Sequence, residues 1–307
     1  MSTIKIEQAS RWYGNVVAVN DVTMTIGPGV TGLLGPNGAG KSTLIHMMGG
    51  FLAPSAGAVT LDGEPIWRNQ GVYRKIGLVP EREAAYDFLT GRQFALANAK
   101  LHKLPNPREA AERALRLVEM TEAADRAIGT YSKGMRQRMK MASALVHDPA
   151  VLLLDEPFNG MDPRQRMQLI ELINGMGAAG RTVLFSSHIL EEVEQVAAHI
   201  EVVVAGRHAA SGDFREIRRL MTDRPHRFVI RSDDDRRLAS ALIAHDSVGA
   251  VELAAHGGGA ALHVQAADFG AFVAAAPQIA RKNGIRLWEV LPADESLESV
   301  FAYLVTS

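Results

Sequence analysis

The sequence predicts an α/β protein followed by a smaller α+β domain. Over the first two thirds of the chain, short apolar runs alternate with stretches of helical periodicity, which is typical of parallel strands joined by helices. One run, residues 151–154, is apolar at every position, as expected for a parallel strand that is buried on both faces. The composition changes after residue 220, and a length of 307 residues is enough for about two domains.

The composition is that of an ordinary globular protein. Apolar residues make up 47% of the chain and charged residues 22%, which excludes intrinsic disorder and a fibrous repeat. The 33 basic and 34 acidic residues nearly cancel, so no overall positive field favours nucleic acid as a partner. Cysteine is absent, which excludes disulfide bonds and thiolate zinc sites. We expect no signal peptide, because the first ten residues have no basic stretch followed by an apolar core. We expect no membrane-spanning helix either, because the long uncharged stretches are interrupted by glycine and proline.

The first strand is predicted at residues 22–26, where apolar and polar side chains alternate. Residues 30–34 form a second apolar run, which leads into a glycine-rich loop. A helix is predicted to begin at about Lys41, directly after that loop. Further strands are predicted at residues 182–185 and 201–204, so the α/β pattern continues on both sides of the run at 151–154.

A helical insert is predicted between these strands, over about residues 90–149. Thr90 and Gln93 have the spacing of a capping box. Asn106 and Pro107 have the residue types preferred at the N-cap and first position of a helix. The insert therefore begins with at least two helices.

The second domain is predicted to span residues 226–307, after a linker at 221–225. Its pattern has the β-α-β-β-α-β order of a ferredoxin-like unit, with a last helix at 296–305. A charge-rich stretch, 231–237, is predicted to be a solvated loop. The predicted strands are 228–230, 248–253, 262–264 and 287–290, and the predicted helices are 238–244 and 269–282.

The glycine-rich loop matches the P-loop pattern G-x-x-x-x-G-K-[ST]. Glycines let successive backbone N–H groups turn toward phosphate oxygens, and the following helix adds its positive N-terminus. Lys41 is then expected to reach the β- and γ-phosphates and Ser42 to bind Mg²⁺. The predicted nucleotide-binding residues of the loop are Gly35, Pro36, Asn37, Gly38, Ala39, Gly40, Lys41, Ser42 and Thr43.

Two carboxylates follow the apolar run at 151–154. Asp155 is expected to hold Mg²⁺, directly or through water. Glu156 is placed to orient or deprotonate an attacking water, which makes it the candidate general base. Two acids at a strand end can also serve only as a cap or face solvent, but their combination with a P-loop favours the catalytic interpretation.

Together these motifs resemble the ATP-binding cassette (ABC) family. Tyr131-Ser132-Lys133-Gly134-Met135 stands where the family has its signature, most often LSGGQ, and Ser132 and Gly134 match that form. The variant YSKGM resembles cassettes that serve exporters of drugs, lipids or polysaccharides. The resemblance implies that Ser132, Lys133, Gly134 and Met135 face the γ-phosphate of ATP bound to the opposite subunit. For Lys133, a solvent-facing side chain is the simpler alternative.

The resemblance assigns roles to four more residues. His188, after a strand, resembles the switch histidine that contacts the γ-phosphate, and Asp162 resembles the D-loop aspartate that crosses the dimer interface. Asp162 precedes Pro163, so it is also a candidate helix cap. Tyr13 matches the aromatic residue that stacks on adenine, although it could equally close a hydrophobic edge. Glu81 stands where the family has its Q-loop glutamine; a carboxylate can bind Mg²⁺ but adds negative charge beside the triphosphate.

The resemblance covers about residues 3–220. It implies a P-loop NTPase cassette with a RecA-like core, an antiparallel β edge and a helical subdomain at about 90–149. The implied cofactors are ATP and Mg²⁺, with Lys41, Glu156 and His188 as catalytic residues. The metal ligands would be Ser42, Asp155 and Glu81.

The resemblance also implies partners. Two chains, as a homodimer or a paired cassette, would share two ATP sites and energise an integral membrane permease at the cytoplasmic face of the plasma membrane. An exporter is the favoured function, and no nucleic-acid partner is expected. The alternatives are the ATPase of an importer with a ligand-sensing C-terminal domain, a weakly hydrolysing regulatory module, and a cassette acting on ribosomes or DNA. The last would need a tandem cassette or a long coiled coil, which the sequence lacks.

Overall fold

The chain divides into two units, Met1–Phe214 and Arg215–Ser307. The computed structural model describes residues 2–81, 86–213, 226–256 and 259–292. Each unit has its own cluster of buried apolar side chains. The predicted linker at 221–225 and the predicted last helix at 296–305 lie outside the described residues, so the proposed domain boundary stays a prediction.

The first unit contains most of the strands and helices. In chain order these are β1 (Ile4–Tyr13), β2 (Val16–Ile26), β3 (Gly29–Leu34), α1 (Lys41–Met48), β4 (Ala56–Leu61), β5 (Glu64–Pro65), α2 (Gln70–Tyr73), β6 (Ile76–Val79), α3 (Gly91–Leu101), α4 (Pro107–Leu117), α5 (Lys133–Leu145), β7 (Val151–Leu154), α6 (Pro163–Ala178), β8 (Thr182–Ser187), α7 (Leu190–Val196), β9 (His199–Val204) and β10 (Arg207–Gly212).

Two sheets form this unit. The strands β2-β1-β4-β5 make an antiparallel sheet, and the order of the larger sheet is β10-β9-β3-β8-β7-β6. In the larger sheet β9, β3, β8, β7 and β6 run parallel, and β10 pairs with β9 in the antiparallel direction. This confirms the α/β core with an antiparallel edge, and β7 is buried at every position as its apolar sequence predicts.

The register of the parallel strands places the predicted motifs at one edge. Leu34 of β3 pairs with Ser187 of β8, and Leu154 of β7 pairs with both Phe185 of β8 and Val79 of β6. The loops that follow β3, β6, β7 and β8 therefore leave the sheet at its carboxyl edge, where open α/β sheets bind their ligands.

The helical insert begins as the sequence predicts. The Thr90 hydroxyl accepts a hydrogen bond from the Gln93 backbone N–H, and the Gln93 side-chain oxygen accepts one from the Thr90 backbone N–H, so the capping box before α3 is present. Pro107 is the first residue of α4, although the side chain of Asn106 makes no capping bond to the backbone there. Ser132 caps α5, the helix that follows the predicted signature residues.

The second unit is a smaller α+β structure. Its elements are β11 (His226–Ser232), α8 (Asp235–Leu242), β12 (Val248–His256), β13 (Gly259–Ala266), α9 (Phe269–Lys282) and β14 (Leu287–Pro292). They follow one another in β-α-β-β-α-β order, and the antiparallel sheet has the order β12-β13-β11-β14.

The prediction of a solvated loop at residues 231–237 is wrong. Arg231 lies in β11, and α8 begins at Asp235. The acidic run there caps the helix, since the Asp234 side chain accepts a hydrogen bond from the Arg237 backbone. Acidic residues are favoured at a helix N-terminus, so a charge-rich stretch can mark the start of a helix as well as a loop.

Candidate active site

The P-loop joins β3 to α1 at the carboxyl edge of the larger sheet. A Cβ at Gly35 would collide with the backbone oxygen of Val203, and one at Gly40 would lie 2.5 Å from that of Ala18. Gly40 also has a φ of 100°, a left-handed conformation that favours glycine. The loop is therefore possible only with glycine at these positions. The helix α1 begins without a side-chain cap or a first-turn acid, which leaves its N-terminal N–H groups suited to phosphate.

Lys41 is folded back over the P-loop. Its side chain is 6% exposed, and its Nζ donates hydrogen bonds to the backbone oxygens of Gly35 (2.7 Å) and Pro36 (3.3 Å). The same nitrogen lies 3.3 Å from Oε1 of Glu156. A buried ammonium needs such a partner because burial removes its hydration.

Asp155 and Glu156 are both buried at the end of β7. A Ser186 hydroxyl connects them, because its Oγ donates to Asp155 Oδ1 at 2.7 Å and accepts from the Glu156 backbone N–H at 2.8 Å. Glu156 has a φ of 48°, in the left-handed region that residues other than glycine rarely adopt. This backbone turn and the serine fix the direction in which the Glu156 carboxylate leaves the strand.

His188 completes this group of side chains. It follows β8 directly, and its Nδ1 lies 3.1 and 3.3 Å from the two carboxylate oxygens of Glu156. The structure thus brings the three predicted catalytic residues, Lys41, Glu156 and His188, into one cluster. A carboxylate between an ammonium and an imidazole can accept a proton from water while its neighbours hold its orientation.

The predicted signature residues lie at the start of α5. Ser132 and Lys133 are exposed, and the Ser132 hydroxyl accepts a hydrogen bond from the Met135 backbone at 3.2 Å. Gly134 is buried, and a Cβ there would collide with the side-chain amide oxygen of Gln165 in α6. A methyl group at this position would displace the Gln165 side chain, whereas Ser132 and Lys133 face solvent.

Asp162 and Tyr13 have structural partners of their own. Asp162 is the N-cap of α6 and forms a capping box with Gln165, so the capping interpretation is correct. Tyr13 ends β1 with its side chain 45% exposed, and the Arg11 guanidinium lies 5.0 Å from its ring centre. Neither contact prevents a role in nucleotide binding, and for both residues that role stays a prediction.

Comparisons with known proteins identify the family of this chain. A family model described as ABC transporter matches residues 19–159. The daunorubicin resistance ATP-binding protein DrrA3 of Streptomyces coeruleorubidus is 37% identical over 222 residues, which are 71% of this chain and 70% of that protein. The Nod factor export ATP-binding protein I of Cupriavidus metallidurans is 35% identical over 227 residues, 70% of this chain and 72% of that protein. The chain belongs to the ABC transporter ATP-binding proteins.

The fold of these ABC proteins agrees as well. A solved structure of the ATP-binding subunit of an ABC transporter has a TM-score of 0.64 at 28% identity, covering 71% of this chain and 92% of that one. Proteins of this family bind and hydrolyse ATP, and this ABC chain is accordingly an ATPase. Across the first curated relatives, the chain spans 65–70% of their length. Among the described helices, none is both long and apolar enough to cross a membrane.

The predicted metal ligands of this site suit Mg²⁺. Ser42, Asp155 and Glu81 offer only oxygen ligands, which this hard cation prefers. Within the described residues, no group of three or more His, Cys, Asp or Glu side chains could hold a metal ion. Mg²⁺ in nucleotide sites usually needs only one or two protein ligands beside phosphate oxygens and water, so the residues present fit it.

Glu81 leaves β6 at the same edge of the ABC cassette. Its side chain is exposed, and its backbone oxygen accepts a hydrogen bond from Nζ of Lys140 at 3.0 Å. The same ammonium donates to the Pro80 oxygen at 2.8 Å. Lys140 is buried in α5, so the loop that contains Glu81 is fastened to the helix that begins at the signature.

Three residues that support this site were not predicted from the sequence. Lys140 holds the Glu81 loop, and Arg166 and Glu192 form an ion pair next to the switch histidine segment. For Lys140, the residues three and four positions away on the helix are mostly polar, so it looks like an ordinary solvent-facing lysine. For Arg166 and Glu192, no local pattern exists, because they belong to different helices.

Proposed function

We propose that this chain is the ATP-hydrolysing subunit of an exporter. Two copies would close on two ATP molecules, and their closing and reopening would drive a separate integral membrane permease at the cytoplasmic face of the membrane. The single observation that supports this most is the Lys41–Glu156–His188 cluster at the P-loop. The names of the relatives, daunorubicin resistance and Nod factor export, favour export of drugs, lipids or polysaccharides.

Hydrolysis follows from the cluster. The oxygen of a water bonds to the γ-phosphorus while the bond to the ADP oxygen breaks, and Glu156 takes the proton of the water. Lys41 would leave Glu156 for the β- and γ-phosphates, which removes a cation from the carboxylate as the nucleotide enters. His188 remains beside Glu156 to hold its orientation and contact the γ-phosphate.

Other residues would position the nucleotide and the metal. Ser42, Asp155 and Glu81 would hold Mg²⁺, which supplies positive charge to the phosphates when bound. Tyr13 would stack on the adenine. Ser132 and its neighbours would close the ATP site of the second copy, in agreement with their exposure in a single chain.

A weakly hydrolysing ATP-binding module is the second candidate. Glu81 favours it, since a carboxylate beside the triphosphate is repelled unless a cation compensates it. An importer ATPase is a third candidate only through the β-α-β-β-α-β second unit, whose sheet could sense a ligand.

Steady-state ATP hydrolysis by the purified chain tests the proposal. We expect turnover in the native chain and in Glu81→Gln, and its loss in Glu156→Gln. Turnover that appears only in Glu81→Gln would favour the regulatory module. Turnover that survives Glu156→Gln would contradict the assignment of the general base.

A further inference from the structure

An ion pair lies directly behind the switch histidine. Nη2 of Arg166 is 3.0 Å from Oε1 of Glu192, and the Glu192 side chain is only 7% exposed. The other oxygen, Oε2, accepts a hydrogen bond of 2.7 Å from the hydroxyl of Ser187. Ser187 is fully buried and immediately precedes His188. One buried carboxylate therefore joins α6, α7 and the end of β8.

Ser187 is fixed from several directions. Its hydroxyl also accepts a hydrogen bond from the Ile189 backbone at 3.0 Å, and its carbonyl oxygen accepts one from the Gly35 N–H of the P-loop at 3.3 Å. His188 therefore lies between two residues whose positions are held by hydrogen bonds. A shift of Glu192 would consequently move the peptide that carries the imidazole next to Glu156.

The other end of the ion pair reaches the signature segment. Arg166 lies in the first turn of α6, next to Gln165, whose amide packs against Gly134. The same Gln165 is held by the Asp162 capping box. A continuous series of contacts thus runs from Gly134 through Gln165 and α6 to Glu192, Ser187 and His188.

Only the glutamate of this ion pair is buried, since the Arg166 side chain is 37% exposed, and the desolvation of Glu192 offsets much of the attraction. The ion pair instead fixes the orientation of the Glu192 carboxylate, because its two oxygens bind different elements, α6 and the end of β8. We propose that Arg166 and Glu192 are positioning residues that link the signature segment to His188 within one chain. The proposal rests on the proposed function, in which the signature faces the ATP of the partner copy and His188 faces the chain's own ATP. The link would then make each ATP site sensitive to the other.

Paired variants test this link. The set is Glu192→Gln, Arg166→Gln and the double variant, with Asp148→Asn as the matched control. Asp148 forms an ion pair with Arg181 at 2.6 Å, and its side chain is 64% exposed. We expect each single variant to lower kcat by about tenfold while KM for ATP changes less than about twofold, because nucleotide binding is untouched. The Hill coefficient should fall toward 1, and the double variant should equal the singles, because residues that act as a unit are not additive.

Native kcat and Hill coefficient in all variants would overturn the link. So would losses that add in the double variant, or a rise in KM at constant kcat. Thermal unfolding of each variant shows whether a loss of kcat merely reflects unfolding, and the test is then read from the single variant that stays folded.

The second measurement needs no turnover. The imidazole signals of His188 in the NMR spectrum, identified by their loss in His188→Gln, should shift in Glu192→Gln and remain unchanged in Asp148→Asn. Unshifted signals in Glu192→Gln would overturn the proposal. A native chain that hydrolyses ATP as a monomer would instead contradict the shared-site function, and the His188 signals would still decide whether the link exists.

Discussion

The P-loop side and the signature side of the candidate site differ in the burial of their polar and charged side chains. At the P-loop, Lys41, Asp155 and Glu156 are all buried, and each has a partner inside the same chain. At the signature, Ser132 and Lys133 face solvent. Buried charges need a partner within the folded chain, whereas exposed groups are hydrated and remain available to contact a second molecule. The chain therefore builds one side of the site by itself and presents the other, which is what a site shared between two copies requires.

Glu156→Gln should remove the activity of the buried side of the site while leaving the signature side unchanged. The amide keeps the shape of the side chain but cannot accept the proton, so turnover should fall by about 10²–10⁴-fold. Because the signature side is intact, the variant should accumulate as an ATP-bound dimer. Light scattering with saturating ATP measures this. A variant that stays monomeric would contradict the shared-site model for the isolated protein.

Gly134→Ala disturbs the signature side alone. The new methyl group collides with the Gln165 amide, and we expect about 1–3 kcal/mol lower stability from overpacking. Turnover should fall by about 10–10²-fold from the displaced signature, while ATP binding to the monomer stays unchanged. Turnover, nucleotide titration and urea unfolding measure these effects.

The matched control is Gly175→Ala in α6. A Cβ at Gly175 meets nothing within 4 Å, so alanine should stabilise the helix by about 0.5–1 kcal/mol. Equal turnover in the two glycine variants would show that the Gly134 contact has no role in the reaction.

Away from the site, burial also changes the titration of His147. Burial, reinforced by the neighbouring His102, lowers the pKa of His147 from 6.5 to about 4. The unfolded chain therefore binds more protons, and stability present above pH 6.5 should be lost as the pH falls toward 4. Urea unfolding at pH 7 and pH 5 should show a smaller acid loss in His147→Gln than in the native chain. An equal loss in both would assign the acid sensitivity to other groups.

The contribution of His208 to stability should change with pH in the opposite direction, and by a smaller amount. A hydrogen bond with buried Glu201, at 2.6 Å, raises the pKa of His208 against the effect of its burial. Its contribution is complete below pH 6.5 and is lost as the pH rises through the raised pKa. The stability difference between the native chain and His208→Gln should shrink from pH 6 to pH 8. A difference that grows over this range would contradict the pairing.

Local patterns explain which parts of the structure the sequence could predict. The P-loop, the apolar strand β7 and the Thr90–Gln93 capping box depend on neighbouring residues, and all three are present. The strand β1 escaped prediction because its register against β2 shifts three times and Gln8 has a φ of 48°, which interrupts the alternation of period two.

The site could be predicted only where motifs mark it. Lys41, Glu156 and His188 each come after a recognisable strand, and the family resemblance implied that they act together. The Arg166–Glu192 pair and the anchoring of the Glu81 loop by Lys140 join helices to distant segments. Such long-range partners leave no periodic signal in a single sequence, because each residue alone looks like an ordinary charged helix position.

The positive φ of Glu156 has a consequence for how this chain can change by mutation. At 48° the backbone alone would be more relaxed with glycine or asparagine. Either residue would, however, remove the carboxylate that pairs with the buried Lys41 ammonium. The glutamate therefore carries backbone strain that its own ion pair offsets, so a mutation at this position changes the stability of the chain as well as its turnover.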